Sequence, residues 1–200
     1  WETILWNVRL PRIVLAGVVG GALSLSGATY QGLFRNPLAD PFLIGVASGA
    51  GLGAIIVLVS GVPHLFVGFD LLPVAAFIGA LSAVTAAYYL ARDSDGLPLG
   101  SLILAGVAIA YLASSLGVML MMQSDANLRP ILSWLLGGFI STEWKHSFLV
   151  LIYLIPSGMI VFAYGRILNV LQLNEEHAKQ IGVNVERSKM LLIVAATLAT

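Results

Sequence analysis

The residues best suited to chemistry sit together in one short polar stretch. Asn174-Glu175-Glu176-His177-Ala178-Lys179-Gln180-Ile181-Gly182-Val183 carries two carboxylates, an imidazole and an ammonium side by side. A zinc site would need a second imidazole or a thiolate at ligand spacing. The other histidines, His64 and His146, are far off in sequence, and the chain has no cysteine. A phosphate-binding loop would end in Gly-Lys-Ser or Gly-Lys-Thr. Lys145 follows Trp144, Lys179 follows Ala178 and Lys189 follows Ser188, so no lysine closes such a loop. No Gly-x-Ser-x-Gly elbow marks a nucleophile. The expectation is no catalytic residue, no metal and no cofactor, with the stretch serving as a polar contact surface. Arg9 and Arg12 form a second small cluster of charge. Nucleic acid is not expected as a partner, because formal net charge is zero and no basic face is evident.

The elements that must position these residues are apolar blocks. Of 200 residues 58% are hydrophobic and 10% charged, whereas a soluble domain carries about 25% charged residues. A run of about 20 apolar residues crosses the hydrocarbon core. Five blocks meet that length: Ile13–Phe34, Phe42–Ser60, Leu71–Ala91, Leu99–Met122 and Ser147–Leu168. A sixth begins near Met190. Only helices are plausible, because isolated lipid-facing strands would leave backbone groups unpaired. The predicted fold class is all-α, a polytopic transmembrane helical bundle with no sheet, forming one domain over 1–200. The chain begins at Trp1 without an initiator methionine, shows no signal peptide, and ends inside an apolar run. It is expected to be an internal piece of a longer protein.

Polar residues gather in the linkers. Asn36-Pro37 and Asp40-Pro41 mark turns, and Asp40 with Pro41 could open the next helix. Leu128–Phe139 is apolar but too short to cross. It predicts an interfacial or re-entrant helix anchored by Trp134 and Trp144. The linker 169–189 is the most polar part. Small residues recur at four-residue spacing, as in Gly17/Gly21, Gly45/Gly49/Gly53 and Gly79/Ala83, which predicts close helix packing. Pro156 predicts a kink in its span. Ser24, Ser26, Ser48, Ser114 and Ser115 can bond back to their own helices.

Basic residues near helix ends orient the chain. One side holds Arg35, Arg92, Arg166, Lys179, Arg187 and Lys189; the other holds Arg9, Arg12, Arg129 and Lys145. The bias puts 169–189 in the cytoplasm and Arg9 and Arg12 outside, where basic residues are disfavoured and invite a functional reason. Ionisable residues are nearly missing from the spans. A proton-coupled carrier usually keeps one as a relay, so the bare spans point to a conduit powered from elsewhere.

Three stretches resemble the permease subunits of ABC importers for iron-siderophores, haem and vitamin B12. The first runs from Arg9-Leu10-Pro11-Arg12 through Ser26-Gly27-Ala28-Thr29-Tyr30-Gln31-Gly32-Leu33-Phe34-Arg35-Asn36-Pro37-Leu38-Ala39-Asp40-Pro41 to Leu43–Ala50. The second is Leu104-Ala105-Gly106-Val107-Ala108, followed by Leu128-Arg129 and Trp134–Gly138. The third is Leu173–Val183. The resemblance implies a subunit of about ten helices, of which this chain covers the second to the start of the seventh. It implies a dimer with a second copy of the permease, two cytoplasmic ATP-binding subunits and an external substrate-binding protein.

By the same resemblance, Arg9 and Arg12 receive acidic side chains of the binding protein. Asn36 and Leu38 belong to a cytoplasmic gate, and Gly100 and Ser101 to a second gate where the family has small hydroxyl residues. Glu175, Glu176, His177, Ala178, Gln180 and Gly182 form the coupling segment that enters a groove of the ATPase, with Ala178, Ile181 and Val183 as its apolar face. Asn174 replaces the family's usual glycine, and asparagine also tolerates a left-handed backbone. The fourth block would line the pore through Ser101, Ala105, Ala108, Leu112, Ser115 and Met119, which fall on one helical stripe. The implied function is import of an iron chelate, haem or corrinoid by alternating access. The implied location is the bacterial or archaeal inner membrane, with membrane lipid around the spans. An ion-coupled carrier and an integral membrane enzyme are the alternatives. The first lacks an intramembrane relay, and the second lacks convergent His, Asp or Glu.

Overall fold

The computed structural model describes residues 1–61, 65–66, 69–93, 97–123, 128–139 and 142–200. Among them the chain forms two compact units, one from Trp1–Pro41 and Phe139–Thr200, the other from Phe42–Gly138.

The first unit begins with a helical run longer than its apolar block. The run covers Glu2–Phe34 without a break, as α1 (Glu2–Ile4), a π-helical turn (Leu5–Arg9) and α2 (Leu10–Phe34). The apolar block begins only at Ile13, directly after the charged Arg12. Pro11 has no N–H and its ring pushes against the carbonyl one turn back. Here the wider π turn directly before it absorbs that conflict. Ile13–Phe34 has no charged side chain and is about 33 Å long at 1.5 Å per residue, a match to the hydrocarbon core.

Three more helices complete this unit: α7 (Trp144–Leu173), α8 (Glu175–Gln180) and α9 (Val185–Ala199). α2 and α7 run parallel. At one end Trp144 Nε1 donates to the Trp6 carbonyl at 3.0 Å; at the other, Arg35 Nη2 donates to the Leu171 carbonyl. α7 opens on a reciprocal cap in which Glu143 and His146 exchange side-chain and backbone bonds. The hydrogen-bonded Lys145 ammonium holds the exposed Glu143 carboxyl below the usual carboxylate range. α7 continues through Pro156 as one helix. α9 runs antiparallel to both, burying Leu192, Ile193, Ala195 and Ala196 and adding polar contacts to each. Ser26 Oγ donates to the Ala196 carbonyl at 2.9 Å and lies 2.6 Å from Thr200 Oγ1. Tyr30 Oη lies 2.9 Å from Thr197 Oγ1. Ser157 Oγ donates to the Ala195 carbonyl at 2.6 Å. Ser24 does bond back to its own helix, at the Gly20 carbonyl, but Ser26 spends its hydroxyl on another helix instead.

The second unit is built from α3 (Val46–Ser60), α4 (Leu71–Ala91), α5 (Leu99–Met122) and the short α6 (Leu128–Leu135). The block Phe42–Ser60 is not one helix. Pro41–Ile44 forms a 3-10 turn, Gly45 takes φ +85°, and only then does α3 begin. At 15 residues α3 is about 22 Å long, short of a full span by itself. Among the described residues, four helical segments are long and apolar enough to cross: Glu2–Phe34, Leu71–Ala91, Leu99–Met122 and Trp144–Leu173. Glycines bring this unit together. A Cβ on Gly49 would lie 2.5 Å from the Gly79 carbonyl oxygen, and one on Gly106 would lie 2.5 Å from Ile44 Cα. α6 packs its buried Ile131 with Ile55 and Leu58 of α3, and Trp134 covers that cluster. A two-residue antiparallel ladder, Leu65↔Asp70 and Phe66↔Phe69, precedes α4. It is the sheet the sequence did not suggest, and it is too short to alter an all-α fold.

Candidate coupling and gate segments

The polar stretch forms two helices joined by a tight turn. Asn174 is extended, at φ −162°, and its Oδ1 accepts from the Glu176 N–H at 2.8 Å. It therefore caps the start of α8 and does not use the left-handed backbone its type allows. The left-handed residue is Gly182, at φ +85°. Around it the Val183 N–H donates to the Ala178 carbonyl and the Gly182 N–H to that of Lys179, the paired bonds of a Schellman stop. Asn184 then caps α9 by accepting from the Arg187 N–H at 3.0 Å.

Two residues fix α8 to its own unit. Ala178 is fully buried. The expectation that Ala178, Ile181 and Val183 form one outward apolar face is therefore corrected: Ala178 packs inward, Val183 is half-buried and Ile181 is 67% exposed. Glu175 lies between two cations. Lys189 Nζ donates to its Oε2 at 2.7 Å, and Arg35 Nη2 lies 3.8 Å from its Oε1. Glu176, Lys179, Gln180, Ile181 and Gly182 are exposed. Of His177 only the backbone is described, and His64 lies outside the described residues. Among the described residues no group of three or more His, Asp and Glu could hold a metal ion.

The first gate candidate begins where α2 stops. Arg35 ends the helix at φ +51°, with the Asn36 N–H donating to the Gln31 carbonyl. Asn36 Oδ1 accepts from the Leu38 N–H at 2.9 Å, closing a tight Asx turn. Ala39 is buried, whereas Leu38 is 86% exposed. Arg9 and Arg12 are exposed at the opposite end of α2 from this turn.

The second gate candidate and the pore stripe lie on α5. Gly100 and Ser101 are exposed in its first turn, and nothing lies within 4 Å of a Cβ on Gly100. Ala108, Leu112, Ser115 and Met119 are exposed, while Ala105 is buried beside Gly106. The stripe is thus open except at Ala105. From sequence alone, Arg35, Lys189, Tyr30 and Thr197 had no role at these segments. Lys189 and Tyr30 had a visible signal, since each is a polar group placed within or beside an apolar block.

The whole chain, residues 1–200, matches the model of the FecCD transport family. It is 38% identical to an uncharacterized ABC transporter permease protein, YvrB, of Bacillus subtilis, over all of this chain and 57% of that protein. It is 38% identical to the cobalamin import system permease protein BtuC of Halobacterium salinarum, over all of this chain and 53% of that one. Identity to the hemin transport system permease protein HmuU of Yersinia pestis is 40%, covering 96% of this chain and 58% of that one. A metal-chelate type ABC transporter solved in an inward-facing conformation superposes with a TM-score of 0.86 at 29% identity, over 99% of this chain and 62% of that one. The chain thus spans somewhat over half the length of the curated relatives it matches. Its apolar helices, the order of its motifs and the family match over its full length agree: the chain belongs to the FecCD transport family of multi-pass membrane permeases.

Proposed function

We propose that this chain is part of the permease subunit of an ATP-driven importer that moves an iron chelate, haem or corrinoid across the inner membrane by alternating access. Two cytoplasmic ATP-binding subunits would engage α8, a second permease copy would complete the gate and pore, and an external binding protein would dock at Arg9 and Arg12. The observation that carries this reading is the arrangement within the first unit. Two exposed arginines stand at one end of the parallel helices α2 and α7, and a rigid polar helix with an exposed underside stands at the other. Charge complementarity would steer and register the binding protein at the first end. α8, anchored through Ala178 and Glu175, could transmit a push from the second. Hydrolysis would belong to the ATP-binding subunits, and this chain would do no covalent chemistry.

Ile181 is the residue on which to test this. Ala178 is enclosed by its own chain, so an arginine there would disturb the permease itself. Ile181 is exposed and apolar, as a residue entering a partner's groove should be. In the full-length permease reconstituted with its ATP-binding subunits, Ile181→Arg should lower uptake per ATP by about tenfold, the effect of losing a buried anchor. Wild-type uptake per ATP in that variant would mean that α8 is an ordinary surface turn and the coupling reading is wrong.

A further inference from the structure

We propose that Arg35 is a positioning residue that links the coupling helix to the gate turn through a breakable ion pair with Glu175. The argument starts from the unequal grip on Glu175. Lys189 is buried, its side chain 5% exposed, and its ammonium donates to Glu175 at 2.7 Å. A buried ammonium stripped of its carboxylate is strongly unfavourable. Glu175 and the first turn of α9 therefore move together. Arg35 is bound differently. It lies 3.8 Å from the other carboxylate oxygen, and both side chains are more than one-third exposed. A partly solvated pair at that distance is weak and is readily exchanged for water.

The place of Arg35 in the chain gives this weak contact its consequence. Arg35 is the left-handed residue that terminates α2, and Asn36 follows it directly. The Asn36 side chain holds the turn that presents Leu38. The guanidinium also donates to the carbonyl of Leu171, three residues before the Asn174 cap of α8. A displacement of α8 would thus carry Glu175 and Lys189 with it, while the Arg35 contact stretches or breaks. While it is made, the turn bearing Asn36 and Leu38 is tied to α8; once it breaks, Arg35 keeps its bond to the Leu171 carbonyl and the turn no longer follows α8. Such a link presupposes that α8 is the contact for the ATP-binding subunit, as proposed above.

A double-mutant cycle on Arg35 and Glu175 tests it, using the full-length permease reconstituted with its ATP-binding subunits. Arg35→Gln should leave co-purification of those subunits intact and ATP turnover within about twofold of wild type, and should lower uptake per ATP by at least about threefold. Glu175→Gln loses the Lys189 pair as well as the Arg35 contact, so adding Arg35→Gln to it should lower uptake per ATP by less than Arg35→Gln does alone, the ion pair being already absent. Wild-type uptake per ATP in Arg35→Gln, or losses that simply add in the double variant, would overturn the link. Ile181→Arg serves as the separate control. If it uncouples while Arg35→Gln does not, α8 remains the ATPase contact and only the link to the gate turn fails. If neither uncouples, both fail.

Discussion

The two units hold their helices together by different means. In the first, hydroxyl groups reach across: Ser26, Tyr30 and Ser157 all bond to α9. In the second, backbones touch: Gly49, Gly53 and Gly79 bring α3 and α4 so close that an added Cβ on any of them would strike the other helix. Ser48, Ser60 and Ser82 there bond back to their own helices and join nothing. Apolar burial gives little net drive between helices already in lipid, so close packing and interhelical hydrogen bonds are what remain. The first unit relies on the hydroxyl bonds, with one close glycine contact where Gly32 meets Leu168 and Gln172 of α7, and the second on backbone contact. The glycine seam is intolerant of added volume but indifferent to polarity, whereas the hydroxyl clasp tolerates small volume changes but depends on each donor having its acceptor.

Volume gives the sharpest separation. Gly79→Ala puts a Cβ 3.0 Å from the Gly49 carbonyl carbon and 3.1 Å from Gly53 Cα. Two backbones would have to part, at a cost of about 2–3 kcal/mol, in the range of overpacked cores. The same substitution at Gly17 meets nothing within 4 Å and should gain up to about 1 kcal/mol from helix propensity. Thermal unfolding of the purified full-length permease in detergent should move in opposite directions for the two variants. A shift of the same sign and size in both would show that the seam is not what holds α3 to α4.

Polarity comes next. Tyr30 is fully buried and stacks on Phe34 at 5.7 Å between ring centres. Tyr30→Phe keeps that stack and removes only the hydroxyl that meets Thr197. A cycle of Tyr30→Phe with Thr197→Val should give a coupling of about 0.6 kcal/mol, and no more than about 1.7, the span measured for interhelical bonds in membranes. A coupling near zero would mean that the clasp reports packing alone, and the contrast between the units would lose its basis.

What could be read from the sequence divides along the same line. The glycine spacing at Gly45, Gly49 and Gly53 announced close packing, because small residues four apart lie on one helix face. It did not announce that Gly45 would be the breaking point of its block, since a glycine's side-chain hydrogen says nothing about the sign of φ. The hydroxyl clasp was hidden for a related reason. Ser24 and Ser26 look alike in sequence, and only the arrival of α9 decides which of them bonds across. Arg35 and Lys189 entered the sequence reading only as charges to be counted for orientation. Their meeting at Glu175 needs the return of the chain over more than a hundred residues, which no local pattern records. The exposure of Ile181 and the burial of Ala178 were equally unreadable, because both are apolar residues on a short helix and its stop.

The smallest effect expected is at Gly100, and it shows that a glycine in the second unit is not by that fact part of the seam. Gly100 is exposed in the first turn of α5, with nothing within 4 Å of a Cβ. Its backbone is helical, so no left-handed conformation demands glycine there. Gly100→Ser should therefore fit without displacement and gain about 0.3–0.5 kcal/mol, because serine is the better helix residue by roughly that amount. The family resemblance implies small hydroxyl residues at this position, so the variant is also the mildest probe of the second gate candidate. Stability should rise slightly, and uptake by the reconstituted full-length complex should stay near the wild-type rate. A loss of stability would reveal a close neighbour of Gly100 that is absent among the described residues. Unchanged stability with a fall in uptake would mean that the open space beside Gly100 is needed during transport, and would make the glycine itself a part of the gate.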